Sequence, residues 1–163
     1  MGKVWLLVID DESYQDSLFG FIKKMGRDSC CFVSINKGYS ALVGLFKKYR
    51  IVRRGFTFVD CVTASVTNVK DSKDCIYISS PNHLTDLSIV LRKMIGDYNA
   101  ILIDSLSNLM MYHDANTVAH FIHDLVTKIN ADGSDLILVV SNRDLKTPIC
   151  KNVSTMVDEV IKI

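Results

Sequence analysis

Aspartates and hydroxyl residues stand where the short apolar runs of this 163-residue chain end. The run Val4–Ile9 is followed by Asp10-Asp11-Glu12-Ser13-Tyr14, and Cys31–Ile35 by Asn36-Lys37-Gly38. Residues 56–59 lead into Asp60-Cys61, and 76–78 into Ser79-Ser80-Pro81. Residues 100–103 lead into Asp104-Ser105, and 136–140 into Ser141-Asn142. Carboxylates and hydroxyls grouped in this way can hold a magnesium ion through oxygen and water. An aspartate with a free oxygen can also accept a phosphoryl group. The plainer role for such residues is to cap the helices that follow.

The runs imply the elements that would position these groups. Val4–Ile9 is continuously apolar and rich in branched residues, the pattern of a strand covered on both faces. Ser13 is placed as an N-cap with Asp16 three residues on. Leu18, Phe21, Ile22 and Met25 then follow at helical spacing, and Gly26 is placed to end the helix. Tyr39, Leu42, Val43 and Phe46 give a second helix its buried stripe. Residues 65–74 are polar and aperiodic and read as a loop. A third helix starts after Pro81-Asn82 with the stripe Leu84, Leu87, Leu91 and Met94. A long helix over 117–130 buries Val118, Ile122, Leu125 and Ile129, and residues 157–163 form a last strand. Strands alternating with helices predict a single α/β domain over residues 1–163, with a largely parallel sheet of about seven strands between helical layers. Ligands of such sheets bind at the carboxyl ends of the strands.

Two chemistries compete for the rim. A phosphate-accepting receiver needs an acidic pair after strand one, here Asp10 and Asp11, and a nucleophile after strand three, here Asp60. It also needs a hydroxyl after strand four, filled by Ser79. The lysine it requires after the next strand is missing, because Asp104-Ser105-Leu106-Ser107-Asn108 stands there.

The other chemistry centres on 100–104, four apolar residues followed by aspartate. This is a Walker B pattern, in which the aspartate orients magnesium on a nucleotide. The stretches Gly55-Phe-Thr-Phe-Val-Asp-Cys-Val-Thr63, Ile78-Ser-Ser-Pro-Asn-His-Leu-Thr-Asp-Leu-Ser88, Ala100-Ile-Leu-Ile-Asp-Ser-Leu-Ser-Asn-Leu-Met110 and Asn116-Thr-Val-Ala-His-Phe-Ile-His123 occur in order. This succession resembles the RecA/KaiC-like ATPase superfamily, and within it a largely archaeal set of small uncharacterised proteins with suspected signalling roles. The resemblance implies a P-loop NTPase-like sheet in which strand 136–140 lies between strand one and strand 100–103. It also implies assembly through subunit faces.

The chain departs from the family where chemistry is done. A phosphate-binding loop needs a glycine-rich backbone and a lysine, whereas Asp10-Asp11-Glu12-Ser13-Tyr14-Gln15 has neither and carries three carboxylates. Family members that hydrolyse ATP carry a glutamate after strand two, where this chain has Asn36-Lys37. The expectation is a non-enzymatic domain with degenerate motifs, an interaction or signal-transduction module without a cofactor. The alternative is a rim of Asp104, Ser105, Ser13, Tyr14 and Asn36 that binds a nucleotide or another small ligand. A receiver-like phosphoacceptor at Asp60 is the third reading.

Other groups have ordinary readings. His113, His120, His123 and Asp114 do not complete a metal site, since His120 and His123 fall on the polar side of their helix. Lys47, Lys48, Arg50, Arg53 and Arg54 complement a helix C-terminus. Cysteines 30, 31, 61, 75 and 150 are odd in number and have no zinc spacing, so they read as reduced core residues of a cytoplasmic protein. Nineteen basic and eighteen acidic residues leave a formal charge of +1, which argues against nucleic acid or a membrane as partner. No signal-peptide pattern or spanning run occurs. A protein partner or self-association is expected, with Met110-Met111-Tyr112 as a candidate contact.

Overall fold

The computed structural model describes residues 2–26 and 28–163. These form seven parallel strands: β1 (Val4–Ile9), β2 (Cys30–Ser34), β3 (Phe56–Asp60), β4 (Cys75–Tyr77), β5 (Ala100–Asp104), β6 (Asp135–Ser141) and β7 (Glu159–Lys162). Their order across the sheet is β4-β3-β2-β5-β6-β1-β7. β6 therefore lies between β1 and β5, as the family resemblance implies. Registers such as Leu6 opposite Leu138 and Phe32 opposite Leu102 align the carboxyl ends along one edge.

Side chains alternate across the sheet, so each strand feeds two cores. Leu6, Val8, Val33, Ile101, Ile103, Leu138 and Val140 face one layer. That layer is made by α3 (Leu84–Met94), α5 (Ala115–Asp132) and two short helices, α4 (Leu106–Leu109) and α6 (Pro148–Ser154). Leu7, Ile9, Phe32, Leu102 and Val139 face the other layer, α1 (Tyr14–Met25) and α2 (Tyr39–Lys48). This second core is aromatic: the Phe46 ring centroid lies 5.1 Å from Phe58 and 4.9 Å from Phe56, both edge-on.

The predicted stripes of α3 and α5 are the buried residues observed, with Phe121 added to α5. In α1 the buried face is Leu18, Phe19 and Ile22, so Phe19 displaces Phe21 and Met25 from the centre. Phe19 reaches both Phe46 and Tyr49, at 5.8 and 5.1 Å, and aromatic packing thus sets the helix rotation. Ser13 does not cap α1. Asp10 caps a 3-10 turn over Asp11–Ser13 instead, and α1 continues from it without a break. α4 and α6 fall where the sequence reading placed no helix. Ser105 caps the first, and Thr147 with Pro148 opens the second.

All five cysteines are buried and reduced. Burial pushes the Cys61 and Cys75 thiols up to about 12 and raises Cys31 and Cys150 as well. The native protein at pH 8 should therefore react with far less than one equivalent of a thiol reagent, and with five equivalents in denaturant. Rapid native labelling would show that one of the two cores opens.

Candidate functional site

The carboxyl edge brings together the ends of β1, β2, β5 and β6, and Asp104 stands at its centre. It is the last residue of β5, it is 1% exposed, and the peptide to Ser105 is cis. Its Oδ1 accepts a hydrogen bond from the Tyr14 hydroxyl at 2.5 Å. Its Oδ2 is buried with no hydrogen-bond partner among the described residues. Burial pushes the Asp104 carboxyl above the usual carboxylate range, partly offset by the Tyr14 hydroxyl and the Lys37 charge. The same burial and the adjacent carboxylate hold the Tyr14 phenol protonated far into the alkaline range.

Tyr14 is there because the chain turns immediately after β1. Asp10 accepts from the Glu12 amide at 3.3 Å, which closes the 3-10 turn. The first residue of α1 then points its ring at β5. The turn sits where a phosphate would need free amides. Its own Asp11 and Glu12 occupy the favourable end of the helix dipole and repel an anion. Asp11 is further fixed by the Ser141 hydroxyl and lies 3.5 Å from Arg143 Nε. Neither Ser141 nor Arg143 was singled out in the sequence as a partner of Asp11.

Of the remaining rim residues, Ser105 is buried and turned to the backbone. It accepts from the Asn108 amide at 3.2 Å and donates to the Asn108 side chain at 2.6 Å. Ser13 is exposed and accepts from Ser17 at 3.1 Å, and Asn36 is exposed at the end of β2. Lys37 contributes its charge toward Asp104, which the sequence reading did not anticipate.

Asp60 is a separate structure. It is fully buried and accepts four hydrogen bonds: Tyr39 N at 2.7 Å, Val62 N at 2.8 Å, Thr63 N at 2.9 Å and the Thr63 hydroxyl at 2.5 Å. Four donors match the four lone-pair directions of a carboxylate. Asp60 thereby ties the start of α2 to the turn after β3. Gly38 permits that approach, since a Cβ there would lie 2.7 Å from the Thr63 hydroxyl. Asp10 and Asp11 have the separate partners already given.

His113 Nε2 donates to the Pro81 carbonyl oxygen at 2.8 Å, while His120 and His123 are exposed on α5. No three His, Cys, Asp or Glu side chains among the described residues are placed to share a metal ion. Asp114 caps α5 through the Thr117 amide at 2.8 Å, which holds its carboxyl below its ordinary value. Met111 is 76% exposed and Tyr112 is exposed, whereas Met110 packs against the core.

Known proteins resemble this arrangement in fold. A KaiC-like protein from the hyperthermophilic archaeon Pyrococcus horikoshii superposes with a TM-score of 0.67 at 14% identity, covering 99% of this chain and 72% of its own. The flagellar accessory protein FlaH of Methanocaldococcus jannaschii gives 0.59 at 14% identity, with 99% and 70% covered. The chain thus has the RecA/KaiC-like fold. No curated protein matches its sequence. A model for a family of unknown function, DUF7504, matches residues 47–163.

Three substitutions test this geometry. Tyr14→Phe removes the only donor to the Asp104 carboxyl among the described residues and should cost about 1–3 kcal/mol in urea denaturation. Asp60→Ala orphans four donors and should cost at least as much, about 3 kcal/mol or more. A raised native carboxyl pKa means that stability is lost as pH rises from about 4, the unfolded aspartate value, through the native one. The stability of Asp104→Asn relative to the parent should therefore improve between pH 4 and pH 8. A pH-independent difference would show that Asp104 titrates normally.

Proposed function

This chain belongs to DUF7504, a family of unknown function, and we propose that it is a non-hydrolysing RecA/KaiC-like domain serving as an interaction or regulatory module, in signal transduction. The observation that carries this reading is the Tyr14 hydroxyl seated on Asp104. In a working site that aspartate faces a hydrated magnesium ion on a nucleotide. Here an aromatic side chain from the start of α1 takes one of its oxygens. The turn before it offers no lysine and no glycine, and its carboxylates oppose a triphosphate. The end of β2 carries Asn36 and Lys37 where an attacking water would need a carboxylate.

The module reading assigns the exposed Met111 and Tyr112 to contact with a protein partner or a second copy. Five buried reduced cysteines suit a cytoplasmic setting. No helix among the described residues is long and apolar enough to cross a membrane.

A second reading rests on Asp104 Oδ2. An unpartnered buried carboxylate oxygen costs stability, and a small ligand donor reaching the rim would relieve it. In this reading Ser13, Tyr14 and Asn36 flank the ligand, with Ser105 buried behind them. The phosphoacceptor reading has less support, because the Asp60 oxygens are already engaged by four donors.

Purified protein given ATP and magnesium should release phosphate no faster than buffer alone, and Asp104→Asn should change nothing. Sustained release that disappears in Asp104→Asn would overturn the proposal. A thermal shift induced by a nucleotide, with no turnover, would favour the second reading.

A further inference from the structure

α1 and α2 lie side by side on one face of the sheet and end at its amino edge, opposite the Asp104 rim. Their last turns and the loop into β3 carry Lys23, Lys24, Lys47, Lys48, Arg50, Arg53 and Arg54, all exposed. No carboxylate among the described residues forms an ion pair with any of the seven; the pairs observed lie elsewhere. Arg53 donates to the Tyr39 hydroxyl and Lys48 sits over the Tyr49 ring, contacts that leave both charges in place.

Helix capping accounts for only part of this charge. Two helix C-termini together present about one negative unit, and Asp28 nearby supplies one more. Asp16, which accepts from the Tyr49 hydroxyl beside Lys48, supplies a third, and about four positive charges remain uncompensated at one corner of a chain whose total is +1. Lys23, Arg50 and Arg54 line a cavity of about 310 Å³ whose walls include Ile22, Ile51 and Phe56. Val52 projects from the middle of the basic loop and is 74% exposed. Gly55 fixes the turn of that loop at φ 86°, with the Asp28 carbonyl 2.2 Å from where a Cβ would sit.

We propose that this corner docks on an anionic phospholipid bilayer, with Val52 entering the interface, the cations over the headgroups and one lipid phosphate between Lys23, Arg50 and Arg54. The apolar tip decides between polyanions. A protruding valine gains nothing against nucleic acid, and no aromatic is exposed there for base stacking. At a bilayer it is removed from water while each nearby cation improves partitioning about fivefold. Asp10, Asp11 and Glu12 lie at the opposite edge, so the charge distribution selects one orientation and turns the Asp104 rim away from the lipid. The inference is independent of what that rim does.

Sedimentation with vesicles of phosphatidylcholine alone, or mixed with phosphatidylserine, tests it. Binding should require phosphatidylserine and weaken as salt rises. The double variant Lys23→Glu/Arg54→Glu should bind at least tenfold more weakly and Val52→Asp several-fold more weakly, both melting as the parent does. Lys151→Glu, on α6 across the sheet, should bind normally and so exclude an effect of net charge. No binding to phosphatidylserine vesicles at low salt would overturn the proposal. So would binding untouched by the double variant, or tighter binding to duplex or single-stranded DNA than to vesicles.

Discussion

A carboxylate buried at the end of a central parallel strand needs a donor, and Tyr14 supplies it to Asp104. That single hydrogen bond constrains much around it. It requires the chain to turn directly after β1, which the Asp10-capped 3-10 turn achieves. It requires α1 to begin at Tyr14, so that the ring reaches β5. The turn engages its own amides, Ser13 N on the Asp10 carbonyl and Glu12 N on the Asp10 carboxylate. The carboxylate that remains is costly, with one oxygen unpartnered. A chain selected only for stability gains nothing from an acid there.

The strands and the layered α/β architecture were legible because a parallel sheet covered on both faces writes itself as short, continuous apolar runs, whereas the place of β6 between β1 and β5 was implied only by the family resemblance. β1, β5 and β6 are of this kind, and the stripes of α3 and α5 were equally plain. The shortest helices were not. α4 has four residues and no stripe, and its signal was only Ser105 followed three residues later by Asn108. α6 was announced by Thr147-Pro148, a cap followed by proline at the first helical position, a pairing that periodicity does not register. The rotation of α1 depended on Phe19 meeting Phe46 and Tyr49, contacts that no local pattern contains.

The candidate site was legible in position but not in pairing. Sequence spacing placed Asp104, Tyr14 and Asp60 at strand ends. It could not say that Tyr14 would turn to Asp104, since they are 90 residues apart. It treated Asp60 as a possible nucleophile, whereas Asp60 is the anchor between the start of α2 and the turn after β3, with Gly38 making room. Charge shows the same difference. The near-neutral total argued against anionic partners, but totals average over the surface, and the fold gathers seven cations at the joint ends of α1 and α2 while leaving the acids of the first turn at the other edge.

We propose that Tyr14 and the acidic turn leave no place for a magnesium–nucleotide complex on Asp104. Isothermal titration of the protein with magnesium and ATP tests it most directly. The account predicts no saturable heat, in the parent and in Asp104→Asn alike. Saturable binding in the parent that Asp104→Asn abolishes would contradict it.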